Sequence, residues 1–320
     1  MTEPGGRVDI RIDIRKTYKL YIGGAFPRSE SGRSYVVRAA DGRFLANAAA
    51  ASRKDARDAV SAALTAQPGW AAATAYNRGQ ILYRVAELLQ GRRDQFVSEV
   101  ADAEGLHIAG LGAAGSDGAA AALVDAAIDR WVWYAGWSDK IAQVAGNANP
   151  VAGPYFNLSV PEPTGVVAVL APQASSLLGL VSVVAPVIVS GNACVVLASQ
   201  ERPLPAVTLS EVLATSDLPG GVVNVLTGST AEVAPWLAAH EAVGALDLAG
   251  AAPLPGRQAS VDWGELERSA ASTLTRVLRL AGSAPSSEPA EEPDWTAPPP
   301  GPARILAFTE TKTVWHPKGR

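Results

Sequence analysis

With 320 residues, 48% of them hydrophobic, the chain can bury a sizeable core in one large domain or two small ones. A net charge of −4, a pI near 5.5 and scattered basic residues exclude the electrostatic footprint of a nucleic-acid-binding protein. The single cysteine, Cys194, excludes an internal disulfide and speaks against a Cys-ligated zinc.

The chain begins with a polar segment of mixed charge, expected to form a flexible arm over residues 1–16, without the apolar stretch of a signal peptide. Lys19–Phe26 reads as a strand, a Gly-Gly turn and a second strand. Ser52 is a candidate N-cap, with Asp55 in the first turn of the helix that follows. Asn77–Leu89 places Ile81, Leu82, Val85, Leu88 and Leu89 on one helical face, and Asp94–Glu104 continues the helical layer. A Gly/Ala-rich loop, Gly110–Ala122, leads into a long helix over Ala122–Trp137. Its aromatic residues Trp131, Trp133, Tyr134 and Trp137 read as core packing. Lys140–Pro161 reads as an extended hairpin turning near Gly146–Pro150.

From Gly165 strands and helices alternate. Val166–Leu170, Ala193–Leu197 and Val222–Leu226 are continuous apolar runs, the pattern of parallel strands buried on both faces. Ala242–Leu248 is a fourth candidate strand. Helices are expected over Ser175–Val189, Pro205–Ala214 and Ala231–Ala239. Pro172, Gln173, Ser175, Ser176, Ser182 and Pro186 interrupt the apolar stretch 166–189, so it does not read as a membrane span. Alternating elements of this length imply βαβ units and a parallel sheet. Glu265–Leu280 is one more amphipathic segment. The Pro/Ser/Glu-rich residues 283–302 read as a disordered linker, and Arg304–Trp315 reads as a terminal strand that needs a pairing partner.

In order along the chain, Tyr18–Phe26, the helix with Arg78 and Leu82, Tyr134–Ile141, Pro161–Leu170, Gly191–Leu197, Leu218–Gly228 and Thr311–His316 resemble segments of aldehyde dehydrogenases. Gly153–Pro163 is similar to family 16, whose two-unit members include a non-catalytic half. The resemblance implies an α/β fold: a Rossmann-like cofactor domain over residues 17–139 and 162–282, with no catalytic domain. It also implies a small antiparallel oligomerisation sheet from residues 140–161 and 303–320, carrying Tyr155, Phe156, Phe308, Thr311, Lys312, Thr313, Val314 and Trp315.

The departures from that pattern fall on the chemistry. Ala174 stands where the family has an asparagine that stabilises the oxyanion, and losing one such donor costs about 3–4 kcal/mol. Arg279 stands where the family has its glutamate base, and a guanidinium cannot accept a proton. No cysteine follows Cys194 to act as nucleophile, and Cys194 itself falls in an expected buried strand. For NAD(P), the ribose-binding lysine is absent and only Glu201, Gly228 and Gly250 match. The site is therefore degraded: no cofactor is required, while weak NAD(P) binding in a partial cleft stays open. His107, His240 and His316 lack metal-ligand spacing.

The expectation is a cytoplasmic pseudoenzyme that joins a full-length aldehyde dehydrogenase subunit, or itself, with no nucleic-acid or membrane partner. An NAD(P)-dependent aldehyde oxidoreductase in its own right, a nucleotide-binding regulatory module and a decayed product without a role are the alternatives.

Overall fold

The computed structural model describes residues 16–106, 113–252, 261–279, 292–299 and 301–319. Most of the arm expected over residues 1–16, His107, and residues 283–291 of the expected linker lie outside them.

An N-terminal layer comes first. Gly23 and Gly24 turn the chain with positive φ, and Ile22 pairs with Ala25, as the Gly-Gly signal implies. A hairpin that the sequence reading missed follows, β1 (Ser34–Arg38) and β2 (Phe44–Ala49). Helix α1 (Arg53–Ala72) starts with a complete capping box between Ser52 and Asp55. Helices α2 (Ala75–Gly91), α3 (Arg93–Glu104) and α4 (Ala113–Ala135) complete the layer. α4 starts within the stretch read as a Gly/Ala loop; its run of alanines after Gly118 favours helix over loop. Trp131 and Tyr134 of α4 are buried in the core, with Trp133 and Trp137 packed at its margin.

The hairpin expected at 140–161 is present with a shortened first arm: a helix, α5 (Ile141–Ala145), takes its start, and β3 (Asn147–Ala148) pairs antiparallel with β4 (Tyr155–Pro163). The chain then enters the alternating region: β5 (Val166–Leu170), α6 (Leu178–Val189), β6 (Ala193–Leu197), α7 (Leu204–Leu213), β7 (Val223–Leu226), α8 (Thr230–Ala238) and β8 (Ala245–Asp247). The amphipathic segment from Glu265 divides into α9 (Trp263–Ser272) and a fifth parallel strand, β9 (Arg276–Leu278). Leu274, with φ of 58°, makes the turn between them. Last come α10 (Ala303–Leu306) and β10 (Thr309–Pro317).

The parallel sheet runs β7-β6-β5-β8-β9, a doubly wound order that reverses between β5 and β8. Helix α6 is buried on every side, as its uniformly apolar sequence requires. α1 is fastened to its end, since the Trp70 indole donates to the Ile188 carbonyl at 2.8 Å. A separate antiparallel sheet has the order β10-β4-β3. Among the described residues, no helix is long and apolar enough to cross a membrane.

Candidate functional site

In an open α/β sheet, ligands bind beyond the carboxyl ends of the strands where the strand order reverses. Here the turns after β5, β6, β7 and β8 form that edge. The turn after β5 carries Gln173 and Ala174. Gln173 is a buried hub: its Nε2 donates to the Ala171 carbonyl at 2.8 Å and its Oε1 accepts from the Gln200 amide at 3.1 Å. Ala174 offers only its backbone. Its N–H donates to Glu292 Oε1 at 2.8 Å, and its carbonyl accepts from the Arg202 guanidinium.

Arg279 follows β9. Its guanidinium is paired with Glu267 of α9, Nη2 to Oε2 at 2.7 Å, and lies 5.3 Å from the centre of the Trp263 ring. It packs the edge of the sheet on α9 and has no lone pair with which to act as a base. Cys194 is fully buried in β6 and hydrogen-bonded into the sheet between Val167 and Val223. Burial pushes its thiol well above the usual range, so the thiolate needed for attack on a carbonyl is disfavoured.

Two of the three residues expected to hold a dinucleotide have roles inside the chain. Gly228, with φ of 136°, brings the turn after β7 against Ala51, whose amide nitrogen would lie 3.0 Å from an added Cβ. At Gly250 an added Cβ would lie 2.1 Å from the Ala171 carbonyl, so only glycine lets the turn after β8 pack on that after β5. Glu201 alone borders open space, a cleft of about 650 Å³ shared with Tyr35, Arg38, Gln200 and Arg202. The Thr230 amide at the start of α8 donates to Gln200 Oε1 at 3.1 Å, and the Gln173 and Ala174 amides donate to Glu292. These backbone donors, the natural receivers of phosphate oxygens, are already satisfied. As placed, they do not fit a dinucleotide at these points.

The sequence reading missed the groups that fill this edge. Residues 292–299, expected as part of a disordered linker, are packed against it. Arg130 of α4 donates to the carbonyls of Trp295 at 2.9 Å and Ala297 at 3.0 Å, and to Ser182 Oγ at 2.8 Å. Arg304 of α10 pairs with the buried Asp247 at the end of β8, whose carboxyl burial pushes up despite that partner. The signal was a lone tryptophan, Trp295, in a Pro/Glu-rich stretch, an expensive residue to leave in solvent. Among the described residues no group of three or more His, Cys, Asp or Glu is placed to hold a metal ion.

The expected oligomerisation residues fall on β4 and β10, with one correction. β10 pairs with β4 over nine residues, from Thr309 opposite Pro163 to Pro317 opposite Tyr155. This brings Thr311, Lys312, Thr313, Val314 and Trp315 opposite Asn157–Pro161; the Trp315 and Tyr155 rings meet edge to face. Phe156, Leu158, Val160 and Val314 lie exposed on one face. Phe308 is not part of that surface. It is fully buried in the main core, because α10 turns the chain inward before the strand begins.

Residues 26–261 match the aldehyde dehydrogenase family. The chain belongs to that family. The family fold is also found in solved structures. An aldehyde dehydrogenase from Brucella melitensis biovar abortus 2308 superposes with a TM-score of 0.72 at 21% identity, over 81% of this chain and 50% of that one. An NAD+ complex of a Bacillus cereus aldehyde dehydrogenase gives 0.71 at 22%, over 82% and 50%. PnpE from Pseudomonas sp. WBC-3 gives 0.71 at 25%, also over 82% and 50%. The chain thus spans about half the length of the solved aldehyde dehydrogenases it matches, and residues 280–302 are all that separate β9 and Arg279 from α10.

Proposed function

We propose that this chain is a non-catalytic aldehyde dehydrogenase family member that assembles with a full-length subunit of the same family, stabilising or regulating it, without a cofactor of its own. The observation that carries the reading is the β10-β4-β3 sheet, whose outer strand β10 has nine residues and, among the described residues, pairs on one side only. An unpaired edge of this length, beside exposed Phe156, Leu158, Val160 and Val314, is a surface that proteins cover. Ala174, Arg279 and the buried Cys194 support the non-catalytic part, since they supply no oxyanion amide, base or accessible nucleophile. A cytoplasmic setting belongs to the same proposal.

The test isolates the N-terminally tagged chain from its host at native level and weighs the intact complex. A full-length aldehyde dehydrogenase in fixed ratio, lost in the Val314→Glu variant, is expected. Recovery of the chain alone would overturn the assembly reading, and aldehyde-dependent NADH formation by the pure protein would overturn the non-catalytic one. A second reading, a nucleotide-binding regulatory module, draws on the cleft beside Glu201. Saturable NAD+ binding lost in Glu201→Ala would favour it.

A further inference from the structure

The reversal point of the sheet lies between the turn after β5 and the end of β8. One stretch of chain holds both. At the first, Glu292 Oε1 accepts from two consecutive amides, Gln173 N–H and Ala174 N–H, the latter at 2.8 Å. At the second, Arg304 pairs with Asp247, the last residue of β8. Trp295 joins the two: its indole donates to Glu292 Oε2 at 3.2 Å, and its ring centre lies 5.7 Å from the Arg304 guanidinium. Arg130 secures the backbone of this stretch from α4 through the Trp295 and Ala297 carbonyls.

The turn after β5 receives carboxylates twice. A few residues on, Glu104 Oε1 accepts from both the amide and the hydroxyl of Ser176, each at 2.7 Å. Successive amides converging on one oxygen form a nest for an anion, and a carboxylate fits it with charge-assisted hydrogen bonds.

We propose that the turn Pro172–Ser176 contains a carboxylate-binding site at the Gln173 and Ala174 amides, and that residues 292–299 act as a strap, anchored through Trp295 to Arg304, whose Glu292 is the resident ligand of that site. The site takes small carboxylates, and the strap competes with them from within the chain. A ligand tethered by a short segment is present at an effective concentration on the order of millimolar, so free carboxylates below that level do not displace it. The strap thereby keeps the site occupied.

The test measures hydrogen exchange at the Gln173 and Ala174 amides in the full chain, comparing the parent with Glu292→Ala. Exchange is expected to rise by about tenfold or more in the variant, the size associated with losing a charge-assisted hydrogen bond. Acetate, with sodium chloride at equal ionic strength as control, is expected to slow it again and shift both amide resonances in the variant but not in the parent. Continued protection of the Cys194 thiol shows that the variant is folded. Glu292→Gln, which keeps the side-chain volume, provides the same reading if alanine is not tolerated. Unchanged exchange in the folded variant overturns the strap, and indifference to acetate overturns the carboxylate site.

Discussion

The side-chain amide of Asn192 donates to the backbone carbonyl of Phe308 at 2.8 Å. This bond joins the start of β6 to the root of β10. The same side chain accepts from the Gly165 amide at 2.8 Å and from the Thr164 hydroxyl at 3.1 Å, so one buried residue fastens the tail to the first strand of the parallel sheet. Tail and domain should therefore fail together. Phe308→Ala, at a site with no solvent exposure, is expected to lower unfolding free energy by about 3–5 kcal/mol. Trp315→Ala, 58% exposed, is expected to change it by less than about 1 kcal/mol. Urea titration of both variants checks the contrast; equal losses would contradict the placement of Phe308.

Arg304 and Asp247 form a pair that is unsafe to break. Asp247 has 1% of its side chain exposed, and removing the guanidinium leaves a buried carboxyl without its ionic partner. Arg304→Ala should cost about 3–5 kcal/mol, while the joint change Arg304→Met with Asp247→Leu should restore much of that loss. A double-mutant cycle by chemical denaturation reads the difference. Additive single effects would show that the pair is not coupled.

Cys194 should behave as an inert thiol. It has no solvent exposure, and burial disfavours its thiolate. A disulfide-exchange reagent at mildly alkaline pH is expected to label it at the rate of unfolding and to show full reactivity only in denaturant. Rapid labelling of the folded chain would reopen Cys194 as a nucleophile.

Glu99 makes a pH prediction. Its Oε1 accepts from Thr208, Gln95 and Tyr18, while Oε2 is buried without a partner. Burial raises its folded pKa, with the hydroxyl, amide and Lys16 neighbours acting in the opposite direction. An acid whose folded pKa is raised gives its full contribution below the unfolded value, about 4.5, and loses it as pH rises through the folded value. Glu99→Gln removes that loss. The variant should gain on the parent between acidic and neutral pH, measured as the urea midpoint of the variant minus that of the parent at matched slopes; a difference that falls toward neutral pH would contradict the sign.

The parallel sheet was legible because its strands carry their own signature. Val166–Leu170 and Ala193–Leu197 are unbroken apolar runs, and the strands have those bounds. β1 and β2 escaped although their turn carries Asp41-Gly42, a favoured hairpin pair, because Phe44–Ala49 is half alanine and lacks the alternation of a strand. β9 was hidden inside an amphipathic run because it is three residues long and is a strand only through pairing with β8. The site was legible where it depends on residue identity, as at Ala174 and Arg279. It was not legible where it depends on distant approach. Glu292 is 119 residues from Gln173, and nothing local to Glu292 points to that amide.

Because β10 is rooted at Phe308 in the main core and stitched to β4 along its full length, it is a fixed handle and not a swinging arm. The pose of anything seated on its outer edge is then set by packing around α6, far from the contact itself. A volume change at Ile305 or Phe308 could tilt a bound partner while leaving every interface residue in place. Altered assembly geometry in a variant of this chain need not point to an altered interface.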